Sequence, residues 1–168
     1  NQWLTDFSLY MALKEANGMK PWWQWEPEQA RYEIFMQKHR YDFEERSAFW
    51  RFVQYIFYSQ WYDVKKYINS KGIAVIGDMP IYVSLDSADV WAEPEFFQLD
   101  DQCIPTAVSG VPPDYFSEDG QLWGTPLYRW DVMEETGYKW WLDRLGAAGK
   151  LFDVVRLDHF RGFESYYS

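Results

Sequence analysis

Apolar side chains recur every three or four residues in the first half of the chain, and the longest such series runs from position 50 to position 68. Its members are Trp50, Val53, Phe57, Trp61, Val64 and Ile68. This spacing puts them on one face of an α-helix, so it predicts a long helix whose apolar face packs on the core. Asp42 followed by Glu45 resembles a capping box at its start, and Gly72 marks its end.

Shorter helices are predicted on both sides of this long one. Apolar spacings of three and four over residues 9–16 predict an amino-terminal helix with Asp6 as its N-cap. Pro27 suits the first position of a second short helix. A further helix is predicted over residues 132–145, with Asp131 as its cap.

Two apolar runs predict strands that lie side by side. Residues 73–76 form an unbroken apolar run, which is typical of a strand buried on both faces in a parallel sheet. A second run, of strand-forming residues, begins near position 153, and a predicted helix precedes it. The order of strand, helix and strand predicts a βαβ unit, so the fold class is α/β.

Residues 84–130, between these strands, are expected to be an irregular insertion because Gly and Pro interrupt them throughout. Aromatic residues lie in the same segment. Leaving the side chains of Tyr115, Phe116 and Trp123 in water costs free energy, so we expect them to pack or to bind a ligand. Long loops in compact domains are usually binding loops or lids. The alternative is an ordered loop whose aromatic side chains only plug the scaffold.

Charged residues follow both predicted strands. In an extended strand Arg156 and Asp158 share one face, and parallel α/β sheets place their chemistry at the carboxyl ends of the strands. Asp158 is therefore a candidate reactive carboxylate, with Arg156 as the cation that keeps it ionised. The alternative is a structural ion pair that closes a strand. Asp78 also follows a strand, and its alternative is a turn or N-cap residue.

Composition excludes several classes of function. The chain has 26 acidic and 16 basic residues, a net charge of −10, and no basic stripe, which argues against a nucleic-acid partner. No apolar run approaches the length of a membrane span. Cys103 is the only cysteine, which fits a reducing, cytoplasmic setting. Aromatic residues make up 21% of the chain, and their flat faces suit sugars as well as a heavy core.

Three sequence blocks now carry a family resemblance. The chain resembles the amylomaltase, or disproportionating-enzyme, family of 4-alpha-glucanotransferases in the alpha-amylase clan. The blocks are Gly77-Asp78-Met79-Pro80-Ile81-Tyr82-Val83, then residues 110–130 from Gly110-Val111-Pro112-Pro113-Asp114 to Tyr128-Arg129-Trp130, and Val155-Arg156-Leu157-Asp158-His159-Phe160-Arg161-Gly162-Phe163-Glu164. The likeness spans nearly the whole chain. One departure is Thr125, where many members are expected to carry Asn.

The resemblance implies part of a (β/α)₈ barrel with a long lid insertion after one strand, and retaining transfer of α-1,4-glucan segments between maltooligosaccharides. Asp158 would be the nucleophile and Arg156 the residue that orients it. Asp78 and His159 would bind the sugar beside the broken bond. Residues 112–123 would be the lid. The remaining site residues would line the donor and acceptor positions: Asp114, Tyr115, Phe116, Gln121 and Trp123.

The resemblance also implies partners and a missing part. The expected partners are maltooligosaccharides and glucans derived from starch or glycogen, with no cofactor and no metal. The family's general acid is a Glu on the strand after the one that carries Asp158, and the sequence ends before that strand. A whole barrel takes about 250 residues, so we expect a piece of a longer protein that is inactive alone. An amylase-like hydrolase and a non-catalytic glucan-binding fragment are the alternatives.

Overall fold

Helices occupy most of the first 70 residues, and the strands of the described part of the chain lie after them. The computed structural model describes residues 2–115, 117–165 and 167. Its helices are α1 (Gln2–Ala16), α2 (Pro27–Ala30), α3 (Tyr32–Lys38), α4 (Glu44–Ser70), α5 (Ala88–Ala92), α6 (Trp130–Glu135) and α7 (Lys139–Leu151). Its strands are β1 (Ile76–Met79), β2 (Val108–Val111), β3 (Gln121–Pro126) and β4 (Val154–Leu157). Among the described residues, no helix is both long and apolar enough to cross a membrane.

Strands β1 and β4 pair in parallel, which confirms the predicted βαβ relationship. Asp78 lies opposite Arg156 in this register. Helices α6 and α7 precede β4, and α7 packs against both strands. The first strand was placed too early, because β1 begins at Ile76 rather than at residue 73. It is also not buried on both faces: Gly77 and Met79 are buried, whereas Ile76 and Asp78 are exposed.

Residues 84–130 are more regular than expected. They contain α5 and an antiparallel hairpin formed by β2 and β3. Ser87 caps α5, because its hydroxyl accepts a hydrogen bond from the backbone N–H of Val90. This segment is therefore not irregular throughout.

Two aromatic clusters form the centre of the core. In the first, the buried ring of Trp91 contacts Tyr10, Trp25, Tyr32 and Phe35. In the second, the buried ring of Tyr128 packs against the aromatic rings of residues 82, 97, 130, 140 and 141. Tilted and edge-to-face ring pairs of this kind each add about 0.5–1.5 kcal/mol beyond area burial. The second cluster lies near the carboxyl end of β1, because it includes Tyr82, three residues after Met79.

The long helix α4 forms as predicted, but its apolar stripe is not core-facing along its whole length. Trp50 packs edge-on against Phe7 of α1, and Trp61 donates a hydrogen bond to the carbonyl of Leu151 at 2.9 Å. Phe57 and Val64 of the same stripe are exposed. Within the described residues, other elements cover only parts of this face.

The helix starts differ from the predicted caps, because these carboxylates have other partners or lie inside the helix. Asp6 lies inside α1, where its carboxylate accepts hydrogen bonds from the Tyr32 hydroxyl at 2.6 Å and from Gln2 at 2.9 Å. Asp42 pairs with Nδ1 of His39 at 2.9 Å instead of capping α4. Asp131 lies in the first turn of α6.

The single helix predicted over residues 132–145 is two helices. They separate at Gly137 and Tyr138, whose φ angles of 62° and 57° are left-handed. A left-handed pair of residues cannot continue an α-helix, so the chain changes direction between α6 and α7.

Asp153 joins three elements at the entrance to the parallel strand pair. Its carboxylate accepts hydrogen bonds from the backbone N–H of Val75 at 2.8 Å and from Asn69 at 2.7 Å, and it pairs with Lys65 at 3.1 Å. The bond from Val75, followed by those from Asn69 and Lys65, lowers the pKa of Asp153 to about 2. This carboxylate therefore ties the end of α4 to the start of β1.

We expect Asp153→Asn to lower the melting temperature at pH 7 by a few degrees. The folded pKa lies below the ordinary value of 3.8, so the stabilisation is present above that value and is lost as the pH falls through about 2. Thermal unfolding followed by circular dichroism from pH 7 to pH 2 measures this. Asp63→Asn, at an exposed position of α4, is the control. An equal gap between wild type and Asp153→Asn at both pH extremes would contradict the assignment.

Candidate active site

One guanidinium joins two carboxylates at the carboxyl ends of β1 and β4. Arg156 donates from Nη2 to Oδ1 of Asp158 at 2.8 Å, and its Nη1 makes a short contact with Oδ2 of Asp78. The strand pairing brings the three side chains together, because Asp78 faces Arg156 across the sheet and Asp158 follows two residues later. The backbone N–H of Asp158 extends the pairing by donating to the carbonyl of Met79 at 3.0 Å.

The cluster is open to solvent. The side chains of Arg156, Asp78 and Asp158 are 58%, 58% and 50% exposed. Ion pairs this exposed contribute about 0–1 kcal/mol to stability, so closing the strands is a weak reason for three charges here. Asp78 is neither a turn residue nor an N-cap, since it is the third residue of β1. The arrangement offers two carboxylates and a cation to a polar ligand at the end of the sheet where α/β proteins bind their ligands.

His159 follows Asp158 in a strained conformation. Its φ of 50° and ψ of 46° are left-handed, which costs a residue with a side chain about 1–2 kcal/mol. Gly162 makes room for its ring: a Cβ at position 162 would lie 2.8 Å from Cδ2 of His159 and 2.8 Å from Cδ1 of Ile81. Strain held in place by close packing is common at functional sites. His159 is thereby fixed beside the charged cluster.

Trp123 brings the β2–β3 hairpin to this site. Its ring meets the ring of His159 edge-on, with centroids 5.0 Å apart, and it contacts Tyr82 at 6.3 Å. Its indole N–H donates to Oε1 of Gln121 at 3.0 Å, which links the two predicted site residues on β3. The hairpin therefore touches residues that follow both β1 and β4. Tyr82 was not predicted as a site residue, although it lies in the first sequence block.

The loop between β2 and β3 holds the other predicted residues. Asp114 accepts a hydrogen bond from the backbone N–H of Ser117 at 2.9 Å, and its own N–H donates to the Ser117 carbonyl. Tyr115 is 97% exposed. Phe116 lies outside the described residues. The hydroxyl of Thr125 hydrogen-bonds to the buried Ser109 within the hairpin.

In the described part of the chain, no group of three or more His, Cys, Asp or Glu side chains is arranged to hold a metal ion. The chemistry that these residues can supply is that of a carboxylate held beside a guanidinium.

Known proteins that are similar to this chain in sequence or structure indicate its family. The family model described as 4-alpha-glucanotransferase matches residues 1–168. The 4-alpha-glucanotransferases of Thermus thermophilus and Clostridium butyricum are 52% and 46% identical to this chain, over 98% and 99% of its length. A solved amylomaltase from Streptococcus agalactiae, in complex with acarbose, is 46% identical over 98% of the chain, with a TM-score of 0.90.

The match covers the chain but not its relatives. The chain spans 33% and 35% of the two bacterial enzymes and 34% of the solved amylomaltase. Since the family model matches every residue of the sequence, the chain belongs to the 4-alpha-glucanotransferase family.

Proposed function

We propose that the protein containing this chain transfers α-1,4-glucan segments from one maltooligosaccharide to another. The observation that carries the proposal is the exposed cluster in which Arg156 binds both Asp78 and Asp158 at the carboxyl ends of two parallel strands. The names of the relatives support the reaction, and the solved neighbour binds acarbose. Glucans from starch or glycogen are the proposed source of the substrate, and the cytoplasm is the proposed compartment.

The chain is proposed to supply part of a (β/α)₈ barrel. A parallel pair with helices between its strands is the repeating unit of that fold, and barrel enzymes carry their catalytic residues at the carboxyl ends of the strands. Asp78 follows this rule on β1, and Asp158 follows it just after β4. The β2–β3 hairpin lies between β1 and β4 in the sequence, and its Trp123 contacts His159 just after β4. This contact supports a lid role for residues 112–123.

In the proposed mechanism Asp158 is the nucleophile. A carboxylate oxygen of Asp158 attacks the anomeric carbon, a glucosyl ester forms, and the bond to the leaving oxygen breaks as a general acid protonates that oxygen. By resemblance this acid is a Glu on the strand that follows the Asp158 strand in the family. The free 4-hydroxyl of an acceptor glucan then attacks the ester, gives its proton to the same Glu, and releases Asp158.

The other residues bind and orient in this proposal. Arg156 holds the attacking carboxylate in place through the 2.8 Å hydrogen bond, so less motion is needed to reach the transition state. Asp78 and His159 bind hydroxyl groups of the sugar beside the broken bond. Donor and acceptor sugars would contact the hairpin through its polar and aromatic side chains: Asp114, Tyr115, Phe116, Gln121 and Trp123.

Transfer instead of hydrolysis requires that the acceptor reach the ester before water does. An aromatic cover over the site can exclude water and provide a face on which a sugar ring docks. The contact of Trp123 with both His159 and Tyr82 supports this role. Loss of that contact would open the site from the hairpin side.

We expect Asp158→Asn in the full-length protein to reduce disproportionation of maltotriose by roughly 10⁴-fold or more, because the amide is a poor nucleophile. Thermal unfolding should change little, since the Asp158 side chain is half exposed and its ion pair stabilises the fold weakly. Asp143→Asn, which removes an exposed carboxylate of α7, is the matched control. Near-normal turnover in Asp158→Asn would overturn the assignment of the nucleophile.

We expect Trp123→Ala to raise the ratio of free glucose to longer maltodextrins about tenfold, because water enters where the indole ring covered His159. Product analysis by chromatography after incubation with maltotriose gives the ratio. Leu122→Ala is the control, since Leu122 is the neighbouring residue and is 81% exposed. If the two variants give the same ratio as wild type, Trp123 has no part in excluding water.

A further inference from the structure

Two consecutive backbone carbonyls just after β1 are bound by one arginine of α7. Nη2 of Arg144 donates to the carbonyl of Pro80 at 2.7 Å, and Nη1 donates to the carbonyl of Ile81 at 3.0 Å. The hydroxyl of Tyr128 donates to the same Ile81 carbonyl at 2.7 Å. Pro80 and Ile81 lie beyond the residues of β1 that pair with β4, so their carbonyls find partners in these side chains instead of in the strand pairing.

The donors themselves are held firmly. The Arg144 guanidinium lies 4.9 Å from the ring centre of Trp141 and 5.5 Å from that of Trp140, both within cation–π distance. Tyr128 is 1% exposed, and its ring stacks on Tyr82 at 5.9 Å. A planar guanidinium donates to two acceptors from two nitrogens at a fixed separation, whereas the donors of a lysine ammonium share one nitrogen.

The bound segment lies between two parts of the site. Asp78 precedes it by two residues and carries one of the carboxylates on Arg156. Tyr82 follows directly and contacts Trp123 of the hairpin. Ile81 lies against Gly162, beside the ring of His159. A shift of the backbone at Pro80 and Ile81 would therefore move a charged residue and the support of the hairpin together.

We propose that Arg144 is a positioning residue for glucan transfer, which fixes the carboxyl end of β1 and thereby places Asp78 for the sugar and Tyr82 beneath Trp123. Tyr128 shares this task through the Ile81 carbonyl. The inference rests on the proposed function, because it assigns Arg144 a role in that reaction. It predicts that weaker hydrogen bonds to the two carbonyls lower kcat and change the ratio of hydrolysis to transfer. These changes should exceed what a loss of stability alone would cause.

The test compares Arg144→Lys and Tyr128→Phe with wild type in the full-length protein. Arg144→Lys keeps the charge but replaces two donor nitrogens at a fixed separation with one, and Tyr128→Phe keeps the ring but loses the hydroxyl. At temperatures where each variant is folded, kcat with maltotriose should fall about 10–100-fold, the loss that a misplacement of about 1 Å can cause, while KM changes less. The ratio of glucose to longer products should rise. Arg51→Lys, at a surface ion pair of α4, is the matched control.

A second arm tests the route through the hairpin. In a Trp123→Ala background, Arg144→Lys should raise the product ratio no further, because the ring that Tyr82 supports is already gone. Variants that melt earlier yet keep wild-type kcat and product ratio when folded would overturn the inference and leave Arg144 as a structural residue. An additive effect in the double variant would overturn the route through Tyr82. A wild-type protein without transfer activity would instead overturn the proposed function.

Discussion

The parallel register of β1 and β4 decides where every charge of the candidate site lies. Side chains alternate along a strand, so a slip of one residue would turn Arg156 away from Asp78 and toward the core. Contacts at both ends of the pair hold the register. At the start, the backbone N–H groups of Asp153 and Val154 donate to the Val75 carbonyl, while the Asp153 carboxylate accepts from the Val75 N–H. At the end, the N–H of Asp158 donates to Met79. Gly77 adds a steric condition, because a Cβ there would lie 2.1 Å from the ring of Phe152.

Burial and exposure separate the tasks of the two sheet faces. Met79 on one face of β1 is buried, and the side chains of Asp78 and Arg156 on the other face stay in water. Water makes these ion pairs cheap to separate, since exposed pairs contribute about 0–1 kcal/mol. A ligand can therefore displace one partner of Arg156 at small cost and bind the carboxylate that is released. A buried pair would hold its partners too strongly for that exchange.

Local sequence patterns anticipated the parts of the fold that depend on local physics. Strand alternation placed Arg156 and Asp158 on one face, and the apolar spacing found α4, because both depend on residues close in the chain. The predicted N-cap at Asp6 was wrong, because the hydroxyl of the distant Tyr32 binds the same carboxylate. The prediction that the whole α4 stripe is buried was wrong, because burial depends on which other elements pack on that helix. The meeting of Trp123 with His159 joins residues 36 positions apart, and the family resemblance, rather than any spacing, pointed to both. The contacts of Arg144 could not be predicted from the sequence, because its partners are backbone carbonyls, which every residue carries.

The carboxyl end of β1 connects the chemistry to the hairpin within a few residues. Asp78 presents its carboxylate to Arg156, the carbonyls of Pro80 and Ile81 turn back to α7, and Tyr82 presents its ring to Trp123. Proline suits this point, because it has no N–H to donate to a sheet and its φ is fixed. Since α7 leads directly into β4, the helix that grips the end of β1 also sets the start of the strand that carries Arg156. Helix α7 thus positions both strands of the site. The distance between Asp78 and Asp158 depends on that helix as well as on the sheet.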